Sequence, residues 1–160
     1  MKIISPVEEI NNPLFSQHKL RVYIKRDDVI HPIISGNKFR KLKENINYVK
    51  KQKLTGILSF GGAYSNHLHA LAFAGHQHGI KTMAVVRGEQ WYQNNATLSQ
   101  AQAWGMKLVF VDRKTYRLRD EPNYLNELQA TYPDYFIIPE GGSNTLALGG
   151  VGDVIHELNQ

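Results

Sequence analysis

The chain contains no cysteine. That absence removes disulfides, Cys-ligated zinc, iron–sulfur clusters and a cysteine nucleophile together. It also lacks any apolar run near the roughly 18 residues that cross a bilayer. The opening MKIISPVEEINNP has an apolar stretch too short for a signal peptide, and acids follow at once. A soluble cytoplasmic protein with no membrane partner is expected. With 6 Pro and 13 Gly, collagen-like and low-complexity readings fail. Acidic residues are the minority: 14 Asp+Glu face 19 Lys+Arg, a formal charge of +5.

What is present is globular. The 160 residues are 42% hydrophobic and 21% charged, enough for one ordinary domain or a large piece of two. The basic excess gathers in Lys38, Arg40, Lys41, Lys43, Lys50, Lys51 and Lys53, with Glu44 the sole acid among them. Such a run is either a solvated helix face or a surface for an anionic ligand. A nucleic-acid module would need an aromatic platform or a known binding fold beside it. Neither accompanies it, so no nucleic-acid partner is expected.

Residues 1–18 read as irregular, and Leu20–Lys25 alternates like a strand. Phe39, Leu42, Ile46 and Val49 recur at spacings of 3, 4 and 3, which predicts an amphipathic helix from about Asn37 to Gln52. A β/α rhythm follows. Strands are expected at Thr55–Phe60, Lys81–Val86, Lys107–Val111 and Tyr135–Ile138. Helices are expected at Ser65–His78, Asn95–Trp104, Pro122–Tyr132 and Leu146–Leu158, with turns at Gly61-Gly62 and Gly141-Gly142. Apolar strands without alternation, each leading into a helix, specify an α/β fold: an open twisted parallel sheet with helices on both faces. Ligands of such sheets bind at the carboxyl ends of the strands. The loops to inspect are Gly61–Asn66, Arg87–Asn95 and Glu140–Asn144.

Three constellations carry chemistry. In Ser35–Leu42, Lys38 sits at a helix N-terminus, where the helix dipole disfavours a cation. Arg40 and Lys41 add to the repulsion and favour the neutral amine that a Schiff-base lysine needs. The plain alternative is a lysine pointing into water. In Ser59–His67, a glycine pair and then Ser65-Asn66-His67 open a helix, where free amides bind carboxylates. Simple capping is the competing account. Pro139–Asn144 repeats the pattern of two glycines, Ser and Asn after a strand. Gly149-Gly150-Val151-Gly152 is no dinucleotide fingerprint, and no phosphate-loop, HExxH or GxSxG motif occurs. His67, His69, His76 and His78 lack the spacing and the nearby carboxylate of a metal site, so no metal is expected.

Taken in order, IKRDD (Ile24–Asp28), SGNKFRKL (Ser35–Leu42), SFGGAYSNH (Ser59–His67), Asn95–Leu108 and PEGGSN (Pro139–Asn144) resemble a known family. They are similar to the pyridoxal-phosphate-dependent 1-aminocyclopropane-1-carboxylate deaminase and D-cysteine desulfhydrase group, which has the tryptophan-synthase-β-like fold. The resemblance covers nearly the whole chain from about residue 20. It implies pyridoxal 5'-phosphate as cofactor, held as a Schiff base by Lys38. It implies that Asn66 lies beside the cofactor and bonds its ring oxygen. Ser65, Asn66 and His67 would receive the substrate carboxylate, with Ser65 also a candidate nucleophile or proton carrier. The substrate would be a small amino acid, and the products ammonia and a 2-oxo acid. Tyr64 stands where many relatives have Gln, and Leu68 and His69 where they often carry Arg or Thr.

On the same resemblance, residues 1–45 begin a larger cofactor domain, 46–145 form the smaller α/β domain, and 146–160 return to the larger one. The family's glycine-rich phosphate cradle and the partner of the pyridine nitrogen are not in this sequence, so the chain reads as the N-terminal half. A homodimer is the assembly the resemblance leaves open. The competing reading is a truncated, non-catalytic relative that at most binds a small carboxylate.

Overall fold

A computed structural model describes residues 5–158. The expectation of irregular structure over residues 1–18 is corrected for the part that is described; residues 1–4 lie outside it. Strand β1 (Val7–Glu9) is followed by a short helix α1 (Pro13–Gln17), capped by Asn12 with Pro13 in its first turn. The strand expected at Leu20–Lys25 shortens to β2 (Tyr23–Lys25), which pairs antiparallel with β1.

Helix α2 (Asn37–Lys51) has the expected stripe. Leu42, Ile46 and Val49 are buried, and Lys43, Lys50 and Lys51 face out. Then come β3 (Gly56–Gly62), α3 (Asn66–His78), β4 (Lys81–Arg87), α4 (Ala96–Ala103) and β5 (Lys107–Val111). A one-turn helix α5 (Arg113–Tyr116), α6 (Pro122–Thr131), β6 (Tyr135–Ile137) and α7 (Thr145–Leu158) complete the order. Gly61 and Gly62 end β3 rather than making the turn, because both stay in register with β4 opposite Val86 and Arg87. The turn falls instead on Ala63-Tyr64-Ser65. Helix α3 stops at Gly79, whose φ of 65° is the left-handed conformation that glycine accepts most readily. Helix α2 runs unbroken through residue 45, so the expected domain boundary there lies inside a helix.

Strands β3 to β6 form one parallel sheet in the order β5-β4-β3-β6. Side chains alternate between its faces. Ile57, Ala84 and Val86 pack with α2, α3 and α4, while Leu58, Phe60, Met83 and Val85 pack with Tyr116 and α6. Both faces are therefore covered, which is why the strands read as apolar without alternation. The winding runs from β3 outward to β5, and then β6 returns to the other side of β3. That reversal opens a crevice between the β3–α3 and β6–α7 turns, the place where open α/β sheets take ligands. Among the described residues, no helix is long and apolar enough to cross a membrane.

Helix α7 lies against α2. A Cβ at Gly150 would collide with the backbone carbonyl of Arg40, so the glycine-rich run serves a close helix crossing. Asn95 steadies the sheet's carboxyl edge. Its Oδ1 caps α4 by accepting from Leu98 N at 2.9 Å, and its Nδ2 donates to Ala63 O at 3.0 Å. Asn95→Ala is expected to cost roughly 1–2 kcal/mol, the scale of a lost cap. Chemical denaturation checks this, and an unchanged midpoint would contradict it.

Candidate active site

Lys38 is the second residue of α2, entered through Gly36 at φ 60°. Its side chain crosses to the β6–α7 turn, where Nζ donates to Gly141 O at 3.3 Å. Gly141 and Gly142 both have positive φ, 75° and 74°. A Cβ at Gly141 would stand 3.7 Å from Nζ, an ordinary contact, so it is the positive φ that calls for glycine here. Burial, and then the charge of Lys41, hold the Lys38 ammonium below the usual lysine range. The direction matches the sequence expectation, but the cause differs in part. Arg40 points away, and its guanidinium is taken up by Asp27 and Glu157.

The β3–α3 turn supplies the opposite wall. Ser65 is the N-cap of α3, and its Oγ accepts from Leu68 N at 3.3 Å. Asn66 is exposed, and its amide makes no hydrogen bond among the described residues. Asn66, Lys38, Ser35, Gly36 and His69 line a mostly polar cavity of about 270 Å³. The structure thus brings Lys38 and Asn66 together. Ser65 lies beside them at the helix start, engaged as a cap.

His67 is placed differently. It is 3% exposed and does not line the cavity, with Nε2 2.8 Å from Ser59 Oγ. Burial, Lys38 and Lys41 push its pKa down to about 3, so the ring is neutral at ordinary pH. The third loop also departs from expectation. Only Gly141 meets Lys38, while Gly142 rests against His67. Ser143 accepts from Lys41 at 2.7 Å, while Asn144 caps α7 and donates to Asn45 at 2.7 Å.

Sequence reasoning missed Ser59, the Gly141 carbonyl and the pairing of Arg40 with Glu157 across 117 positions. No local pattern announces a contact at that separation. A larger cavity, about 400 Å³, lies on the α6 side around Phe60, Leu125 and Ile137 and holds none of the candidate residues.

The fit to a carbonyl-bearing cofactor rests on three features of the site. The Lys38 amine is half-buried and shifted toward its nucleophilic form. Its Nζ is oriented by the Gly141 carbonyl at 3.3 Å. A free amide, Asn66, stands across the same cavity. These features concern the aldehyde end of such a group.

Residues 5–160 match the family described as pyridoxal-phosphate dependent enzyme. A Thermotoga maritima protein provisionally named a 1-aminocyclopropane-1-carboxylate deaminase is 30% identical over 157 residues, covering 96% of this chain and 49% of that one. A Yersinia pestis D-cysteine desulfhydrase is 28% identical over 138 residues, covering 83% of this chain and 41% of its own. The crystal structure of a homologue of 1-aminocyclopropane-1-carboxylate deaminase superposes with a TM-score of 0.79 at 24% identity, over 98% of this chain and 48% of that one. The chain spans about half the length of the curated relatives it matches.

Proposed function

The chain belongs to the pyridoxal-phosphate dependent enzymes, and on that footing we propose that it carries the lysine and the amino-acid-binding elements of a deaminase or desulfhydrase. The observation that carries this reading is the meeting of Lys38 and Asn66 across one cavity at the β3/β6 switch point. Lys38 holds the cofactor covalently through Nζ. Asn66 hydrogen-bonds its ring oxygen. The free N–H groups at the start of α3 receive the substrate carboxylate, with the helix dipole behind them. Ser65 Oγ, at the same helix start, carries the proton. His67 contributes through its main chain, since its ring is buried.

When bound, pyridoxal 5'-phosphate supplies an electron sink for negative charge developing at the substrate Cα. Loss of a β-substituent, or opening of a cyclopropane ring, followed by hydrolysis of the Cα–N bond by water, would release ammonia and a 2-oxo acid. The substrate class is a small amino acid. Residues 1–45 and 146–160 belong to the cofactor domain in this reading, and 46–145 to the smaller one.

The test is covalent trapping. The chain is mixed with pyridoxal phosphate, reduced with borohydride, digested and mapped by mass spectrometry. Saturable labelling of one site per chain, on the Lys38 peptide, is expected. Labelling spread over Lys41, Lys50 and Lys51 would overturn the assignment.

A further inference from the structure

Ser59 and His67 are both buried, at 0% and 3% exposure. Neither has an assigned chemical task with its side chain. Their bonds join the three segments that make the site. Ser59 is at the middle of β3, His67 is in the first turn of α3, and Pro139 opens the β6–α7 turn. Ser59 Oγ stands 2.8 Å from His67 Nε2 and donates to Pro139 O at 3.3 Å. The hydroxyl has one proton to give. With that proton on Pro139 O, His67 Nε2 carries the hydrogen and donates to Ser59. Nδ1 is then a bare acceptor, and it has no partner among the described residues.

The ring also sets the next turn. A Cβ at Gly142 would lie 3.0 Å from His67 Cε1 and 3.3 Å from Nδ1, so the Gly142 backbone rests on the imidazole. The preceding residue, Gly141, is the one whose carbonyl accepts from Lys38. A continuous path of contacts therefore runs from Ser59 through His67 and Gly142 to the amine.

We propose that Ser59 and His67 are positioning residues: an uncharged clamp that fixes the Pro139–Gly142 turn, and through Gly141 holds Lys38 half-buried with its amine aimed into the cavity. A neutral clamp suits this place. A protonated imidazole beside Lys38 and Lys41 would add a third positive charge, and burial keeps the ring from taking one up. The titratable groups around Lys38 are then Lys41 on its own helix and His67 and His69 on α3, of which His69 lines the same cavity. The geometry also explains why a buried polar pair occupies a sheet–helix junction that apolar residues would otherwise fill.

The inference rests on Lys38 being the cofactor lysine, but its main readout needs no cofactor. The chain is acylated with limiting acetic anhydride across a pH series, and Lys38 is compared with exposed Lys51 as internal reference. In the unmodified chain the Lys38 midpoint is expected below that of Lys51. Ser59→Ala frees the turn, returns Lys38 to water, and moves its midpoint toward Lys51. Borohydride-trapped cofactor on Lys38 should fall at least about fivefold, the scale of one lost hydrogen bond. His67→Gln places an amide nitrogen near Nε2 and should keep both values close to those of the unmodified chain.

Should Ser59→Ala not fold, His67→Leu, which fills similar space without the bond, takes its place with the same expectation. A folded variant with an unchanged Lys38 midpoint and unchanged trapping would overturn the clamp. Scattered trapping in the unmodified chain would instead overturn the cofactor assignment and leave the midpoint comparison standing.

Discussion

Arg40→Met is expected to cost about 3 kcal/mol of stability, because it strands two partly buried carboxylates. Arg40 is 4% exposed. Its guanidinium bonds Asp27 at 2.6 and 2.7 Å and Glu157 at 2.8 and 3.0 Å, a fork engaged on both sides. Ser5 Oγ donates to Asp27 at 2.6 Å, and Lys25 pairs with Glu157 at 2.7 Å. Methionine replaces the stem but not the charge. Asp27 is then left with Ser5 and the more distant Lys25. Glu157 keeps Lys25, which places the loss at the lower end of the range for broken buried pairs. Replacing Arg40, Asp27 and Glu157 together by apolar residues should cost far less, since nothing is stranded.

The same cluster gives a pH dependence with a definite sign. The Arg40 guanidinium holds the Glu157 carboxyl down to about 2 and lowers Asp27 as well. Carboxylates depressed in the folded state add stability above their unfolded pKa, about 4. That stability is lost as pH falls toward the folded value. The unmodified chain should therefore weaken between roughly pH 5 and 2. In Arg40→Met that acid-side slope should flatten. Denaturation midpoints at neutral and acid pH test both statements, and equal midpoints for the two proteins would refute them.

This cluster also marks what the sequence could convey. The helix over Asn37–Lys51 was legible because Phe39, Leu42, Ile46 and Val49 repeat at a helical period. The four sheet strands were legible because both faces are covered and their residues are uniformly apolar. The Lys38 amine was legible because a lysine at a helix start, ahead of more cations, is electrostatically odd. Strand β1 was not, since its three exposed residues carry no periodic signal, whereas the alternation of Leu20–Lys25 announced its partner β2. His67 looked like a surface ligand because Ser65 and Asn66 beside it are at the surface. On a helix the third residue turns about 100° onward from its neighbour, here into the core. Asn144 looked like a second carboxylate-binding amide, yet it caps α7 and meets Asn45, 99 positions away. Contacts of that kind appear only once the chain has folded.

Lys38→Met should abolish trapping of the cofactor at that position and lower total adduct at neutral pH. The direction follows from acid–base equilibrium: a lowered lysine pKa raises the neutral, reactive fraction at a pH well below it. Lys38 has that advantage through burial and Lys41. The fold should survive, because methionine keeps the stem and only the bond to Gly141 O is lost. A lysine whose pKa is lowered by folding opposes the folded state wherever the unfolded chain keeps it protonated. Lys38→Met is therefore expected to melt at or above the temperature of the unmodified chain, even as trapping disappears.

Lys41→Ala supplies the complementary sign. Removing that charge relieves repulsion, raises the Lys38 pKa and lowers its neutral fraction, so trapping at neutral pH should fall and recover as pH is raised. Lys38→Met should show no such recovery. Alkaline recovery in Lys41→Ala alone would identify Lys38 as the reacting amine and Lys41 as the charge that tunes it. Recovery in both would place the chemistry on another lysine, and the Lys38 assignment would fall.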